Sequence, residues 1–377
     1  MKKIFGNQNG ISAVVIIIAV VVVAAVVAAL FVVKLRKKEP IKIGAILSLS
    51  GPARFYGEEI RGGMLLAVDE INSWGGINGR KIEMIIEDSK TSPEEGKEGF
   101  KRIEATHHPL FYVSILSSVS MALAPHAEQS KVVLVGLSVA SLRFTLQNKW
   151  VFRYWVTAKD EVRAALPTLK ALKVKDLGVL YLNDEYGTSV FELLKEEFEK
   201  TEGTIRAEAF DVKDSDHKGQ IAILKDREAI YCVGYESQLK NVFKQLKKEG
   251  FKGHIVSTNA PSLPSVRGLP ESSGVYVTAP AVYNPRYLFA KEFKEKYETR
   301  YNKPSNHFAA CGYDFIKLIA SLLRSEEVSR ANVKRLLEQG FIYPGVFGDL
   351  DVRPGERDIT FPLYPAQIVK GEIKYLR

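Results

Sequence analysis

The sequence predicts an α/β fold of parallel sheets with helices on both faces, preceded by one membrane-spanning helix. Three observations predict it. Short apolar runs alternate with amphipathic helical patterns from Ile41 onward, the signature of β–α–β winding. The chain has 377 residues, enough for two domains that each bury a core. An uncharged run from Ile11 to Val33, dominated by Val, Ala and Ile, stands apart at the N-terminus.

That run comes first. Its 23 residues, at about 1.5 Å each as a helix, span a hydrocarbon layer of roughly 30 Å. It has no amphipathic period and is flanked by charge on both sides, which disfavours a buried soluble helix. It exceeds the ~7–15 residue core of a cleaved signal peptide, and no lipobox cysteine follows. A retained anchor at about 11–33, within a tail of residues 1–40, is the expectation. Lys34, Arg36, Lys37 and Lys38 outnumber Lys2 and Lys3, so a bare positive-inside count leaves the rest of the chain in the cytoplasm.

Strands are expected at Ile41–Ser48, Lys81–Glu87, Phe111–Leu116, Val132–Val135, Leu177–Leu182, Ile205–Phe210, Ala229–Val233 and Ile255–Ser257. Helical patterns lie between them at Gly57–Ser73, Pro93–Ala105, Glu161–Leu172, Thr188–Thr201 and Ser237–Glu249. A helical block over Pro285–Tyr301 and His307–Leu323 follows, then three strand-like segments between Phe347 and Tyr375. The stretch INSWGGINGRKI has the glycines of a phosphate loop but the wrong order. A helix precedes it and a strand follows, so an anion there would face a helix C-terminus. Gly75 or Gly76 suits a left-handed helix end, and Asn78-Gly79 a tight turn.

Composition removes several functions. The net charge of +9 includes six basic residues and no acid within residues 1–38, so the body is nearly balanced and nucleic acid is no partner. Cys232 and Cys311 are the only cysteines and form no CxxC, which excludes a disulfide framework. No HxxxH or HExxH spacing offers zinc a site, and no cofactor motif is read. Asp184-Glu185, Glu58-Glu59 and Asp349/Asp351 are the acidic clusters; the adjacent acids of the first two point to different faces, and no GxSxG or Cys–His signature occurs. An enzyme is not expected.

The segment IKIGAILSLSGPARFYGEEIRGGMLLAVDEINSWGGINGRKIEMIIED, followed in order by SILSSVSMALAP, VLYLNDEYGTSV and CGYDFIKLIASLL, resembles the type I periplasmic binding proteins of the branched-chain amino-acid-binding family. The resemblance covers nearly the whole chain from Ile41. It implies two doubly wound parallel-sheet lobes joined by a three-strand hinge, with the ligand in the cleft. Lobe 1 would take 41–157 plus 283–346, and lobe 2 would take 158–282 plus 347–377. The family disulfide of lobe 1 is missing, because Thr91 and Leu116 stand at its positions.

Ligands of open parallel sheets gather at the carboxyl ends of strands. Ser117 and Ser118 follow such an end and open a helix, where hydroxyls and free N–H groups can grip a carboxylate. The resemblance adds Ser138, through its carbonyl, and places Ala140 where the family has threonine, with Ser141 adjacent. It adds Tyr56 in lobe 1, and Tyr186 and Tyr235 in lobe 2. Asn259 stands where amino-acid binders place the acid that neutralises the ligand ammonium. A buried ammonium without a carboxylate is costly. The ligand is therefore expected to carry a carboxylate or amide and to lack a free α-ammonium, unless Asp160 or Glu236 supplies the charge.

These readings converge on a membrane-anchored, extracytoplasmic solute-binding protein. It would capture a small polar ligand (amino acid, amide or related carboxylate) and deliver it to the permease subunits of an ABC transporter. The outward orientation follows from the resemblance and overrides the charge count. An extracellular ligand-sensing receptor domain is the alternative. With about ten residues before the anchor, it would need a separate signalling partner.

Overall fold

The computed structural model of the protein describes residues 15–23, 38–284 and 286–376. Helix α1, residues 15–23, exposes its valines and isoleucines. The remainder of the expected anchor lies outside the described residues. Among the described residues no helix is long and apolar enough to cross a membrane.

The chain winds first through β1 (Ile41–Leu47), α2 (Arg54–Ser73), β2 (Ile82–Asp88), α3 (Pro93–His107), β3 (Phe111–Ile115), α4 (Ser117–Ser130), β4 (Val133–Leu137), α5 (Arg143–Leu146) and β5 (Val151–Tyr154). Every residue of β3 and β4 is buried, as expected for strands covered on both faces. It then winds through α6 (Ala158–Ala171), β6 (Asp176–Leu182), α7 (Glu185–Glu199), β7 (Thr204–Phe210), α8 (Lys218–Leu224), β8 (Ala229–Val233), α9 (Glu236–Lys248), β9 (His254–Ser257), α10 (Pro264–Arg267) and β10 (Tyr276–Pro280). Helices α11 (Leu288–Tyr301), α12 (His307–Leu322) and α13 (Arg330–Glu338) follow, and α12 packs along α2. A hairpin of β11 (Phe341–Gly345) and β12 (Gly348–Val352) precedes β13 (Asp358–Ile359), β14 (Leu363–Val369) and β15 (Glu372–Tyr375).

Two sheets result. The first has strand order β13-β5-β4-β3-β1-β2, all parallel. The second has order β15-β14-β10-β9-β8-β6-β7, parallel except where β14 meets β10 and β15. Each reverses direction once beside its first-entered strand, between β1 and β3 and between β6 and β8. Such switch points open a crevice at the carboxyl ends of the strands.

The third crossing between lobes differs from the expected one. Residues 347–359 are expected in lobe 2, yet Asp358 and Ile359 pair with Arg153 and Tyr154 of β5 in the first sheet. The buried Asp314 carboxylate on α12 accepts from Tyr343 Oη at 3.0 Å and Val346 N at 2.8 Å, tying the β11–β12 hairpin to lobe 1. The chain crosses only after β13. Strands β5, β10 and β11 have no counterpart among the expected ones, and four strands rather than three lie between Phe347 and Tyr375. In β5 the reason is Arg153, a charge inside an apolar run whose side chain is nonetheless fully buried.

The glycine-rich stretch behaves as its order predicts. Gly75 and Gly76 have φ of 100° and 81° and end α2, and Asn78 and Gly79 have φ of 52° and 78°. Ile77 and Arg80 exchange backbone hydrogen bonds across that turn at 2.9 Å. Cys232 in β8 and Cys311 in α12 are buried free thiols.

Candidate functional site

The two switch points face each other. The cavity between them is narrow, about 30 Å³, and reaches about 390 Å³ only when the open solvent at its mouth is counted. Both lobes line it, through Tyr56, Leu116, Ser117, Ser138, Ala140, Trp155 and Phe308 of lobe 1 and Glu161, Tyr186, Gly234, Tyr235, Asn259 and Ala260 of lobe 2.

In lobe 1, β3 ends at Ile115, and Leu116 turns the chain with φ 67° so that α4 starts at Ser117. Ser138, at the end of β4, is also left-handed, with φ 59°. Non-glycine residues in that region cost about 1–3 kcal/mol each and persist where surrounding structure enforces them. Here the enforcement is visible. Ser117 Oγ accepts from Ala140 N at 3.1 Å and Ser141 N at 3.3 Å. Behind the same loop, the buried Arg153 guanidinium donates to Ala140 O at 3.0 Å and Ser141 O at 2.7 Å, and its Nε lies 3.2 Å from Asp358. With both lone pairs of its hydroxyl engaged, Ser117 has only its proton left to offer. Beside it lie the first N–H groups of α4, which lack partners within the helix. This wall of the cavity donates.

In lobe 2, Asp184 caps α7 by accepting from Gly187 N at 2.9 Å. The same carboxylate accepts from Tyr235 Oη, and burial raises its pKa despite these donors. Tyr186 donates to Thr258 Oγ1 at 3.0 Å and lies parallel to Tyr235, ring centroids 6.2 Å apart. Tyr56 reaches across from lobe 1: its hydroxyl accepts from Glu236 N, and its ring meets Tyr235 edge-on at 5.7 Å. Trp155 and Phe308 stack at 4.9 Å as an apolar face.

The acid at this cavity is Glu161. It is buried, and its carboxylate accepts from Asn259 Nδ2 at 2.5 Å, Asn259 N at 3.2 Å and Thr278 Oγ1 at 2.7 Å. Burial pushes its pKa up to about 8 against these donors. Because Asn259 Nδ2 donates, its Oδ1 must accept, so His307 Nε2, 3.2 Å away, carries the proton. His307 Nδ1 then accepts from Tyr283 Oη at 2.7 Å. Burial and the nearby Arg267 lower the His307 pKa to about 3 and keep the ring neutral.

The sequence-predicted residues divide accordingly. Tyr56, Ser117, Ser138, Tyr186, Tyr235 and Asn259 meet at one cavity. Ser118 and Ser141 are not among its lining residues. Ser141 instead donates to Glu185 Oε1 of lobe 2, and Arg143 donates to both oxygens of Glu185, at 3.0 and 2.6 Å. These contacts join the lobes beside the cavity. Of the two acids proposed for the missing charge, Asp160 accepts from Thr157 N and Oγ1 as a capping box. Glu236 pairs with Lys240 and accepts from Ser265. Sequence reasoning missed Glu161, Trp155 and Phe308. A glutamate in a first helical turn reads as an ordinary partner of the helix dipole. Its donors lie 98 and 117 residues further along the chain.

A family model described as periplasmic binding protein matches residues 40–372. The chain belongs to the periplasmic binding protein family. A leucine-, isoleucine-, valine-, threonine- and alanine-binding protein of Pseudomonas aeruginosa is 22% identical over 311 residues, 80% of this chain and 82% of that protein. The branched-chain amino acid transporter substrate-binding protein of Streptococcus pneumoniae, solved with isoleucine, superposes with a TM-score of 0.79 at 22% identity. That match covers 89% of this chain and 98% of the other. An ABC-transporter solute-binding protein of R. palustris, solved with benzoate, gives a TM-score of 0.82 at 16% identity, over 89% and 95% of the two chains. This periplasmic binding protein is thus a solute-binding protein and not an enzyme.

Proposed function

We propose that this protein captures a small polar solute bearing a carboxylate or amide between its lobes and hands it to the permease of an ABC transporter. The observation that carries the reading is the donor wall of lobe 1. Ser117, with both acceptor positions taken, and the start of α4 present hydrogen-bond donors to a cavity that lobe 2 covers. An anionic group is held there without a basic side chain, by hydroxyl, N–H and helix dipole. The solute touches both lobes and so stabilises the closed form in proportion to its preference for it. The apolar run Ile11 to Val33 keeps the domain at the outer membrane face, which raises its local concentration near the permease.

Mass spectrometry of small molecules retained by the purified protein tests this reading. A carboxylate or amide that binds the wild type and binds Ser117→Ala weaker by about 1–3 kcal/mol supports it. Unchanged affinity in that variant, with its fold intact, contradicts it. Carbonate-resistant membrane association of the full chain tests the anchor.

A further inference from the structure

We infer that Glu161 receives a positively charged group of the bound solute, so that the solute is a zwitterion or amine rather than a plain carboxylate. The inference rests on the cleft being the binding site, and it names what lobe 2 selects.

Among the described residues, the other charged side chains that solvent does not reach are satisfied from within, and Asp184, which is partly reached, caps α7. Arg153 has Asp358, and Glu59 has Lys303. Asp314 has no counter-ion but accepts from four groups: Tyr154 Oη, Tyr343 Oη, Val346 N and Phe347 N. A carboxylate has about four acceptor positions. Glu161 accepts two on Oε2 and one on Oε1, all from neutral donors, which leaves one position without a donor, and the residue lines the cavity. A buried carboxylate without a cation is unfavourable, and a cation placed against it removes much of that penalty. Asn259, at the family's acidic position, cannot take this role. Its side chain donates to Glu161 and accepts from His307, fixing the carboxylate in place.

The surroundings add no competing charge of the needed sign. Asp160 neighbours Glu161 on α6, Tyr186 faces it from α7 and Tyr231 from β8, and His307 reaches it through Asn259. The Tyr231 hydroxyl is itself buried without a hydrogen-bond partner. With burial holding the free acid's pKa near 8, a bound ammonium must displace its proton near neutral pH.

Isothermal titration of the full chain tests this with leucine, isoleucine, valine, threonine and alanine, each beside the acid that lacks the amine, and with benzoate. The inference expects amine-bearing probes to bind best, with affinity rising from pH 6 to pH 8. Titration in two buffers of different ionisation enthalpy should show proton release on binding by the wild type, a readout that needs no variant. Glu161→Gln should bind the amine-bearing probe about tenfold or more weakly and lose the pH dependence. Equal binding by Glu161→Gln, or des-amino acids bound as tightly as amino acids, overturns the inference while leaving the proposed function standing. If no probe binds, both fall.

Discussion

The two lobes solve one construction problem in the same way and then part in chemistry. In each, a tyrosine followed by glycine starts a helix after the first strand of the sheet. A Cβ on Gly57 would lie 2.0 Å from Ser48 O, and one on Gly187 would lie 1.9 Å from Leu182 O. Both glycines let the helix settle onto the end of its strand, which brings Tyr56 and Tyr186 to the crevice. Beyond that the walls differ. Lobe 1 offers donors, and its one buried cation, Arg153, is turned away from the cavity to hold the loop behind it. Lobe 2 offers Glu161, whose carboxyl group pairs with no cation among the described residues. A sheet's switch point therefore fixes where a site lies, while its sign depends on which buried charges are already paired.

The largest effect expected from breaking this contrast is at Arg153. Arg153→Met removes the guanidinium donors from Ala140 O and Ser141 O, leaving each one backbone donor, and takes the cation from Asp358, which should destabilise the protein by about 3 kcal/mol in urea unfolding. Next come the paired glycines. Gly57→Ala and Gly187→Ala should each cost about 2–3 kcal/mol, since the clash is with backbone rather than a movable side chain. Equal losses, measured by thermal melting, would show that the two lobes use the device alike.

Smaller, but specific to lobe 2, is a pH effect. The folded protein keeps a proton on Glu161 up to about pH 8, whereas the unfolded chain releases it near pH 4.3. The folded state thus binds more protons in that window, and stability falls as pH rises through it. Asp314, raised to about 6 by burial, adds to this fall below pH 6. His307, lowered to about 3, opposes it below pH 6.5, because there the unfolded chain binds the extra proton. Between pH 6.5 and 8 Glu161 acts alone among these three, with a slope approaching 1.4 kcal/mol per pH unit, roughly. Glu161→Gln should flatten that stretch of the stability profile, and Ser117→Ala should leave it intact.

The smallest effect concerns the contacts between lobes. Arg143 is more than half exposed, so its pair with Glu185 contributes only about 0.5–1 kcal/mol to closure. Arg143→Ala should raise the open fraction a few-fold in small-angle scattering without changing the melting of either lobe.

Much of this was legible in the sequence because it depends on local order. Strand, serine pair and helix start are contiguous around Ser117, and the same holds for Tyr186 and Tyr235 after β6 and β8. What stayed hidden depends on distant segments meeting. Glu161 is read correctly only when Thr278 and Asn259 are seen to close around it. Ser141 looks like a ligand contact until Glu185 of the other lobe takes its hydroxyl. The short β13 carries no pattern of its own, and only its pairing with β5 places it in the first sheet.

The central claim is that one solute bridges a donating wall and an accepting wall. A crystal structure of the protein with its retained solute tests it most directly. An acidic or amide group is expected within hydrogen-bond distance of Ser117 and the start of α4, with the opposite end against Glu161. A solute bound outside this cavity, or bound with those ends reversed, would contradict it.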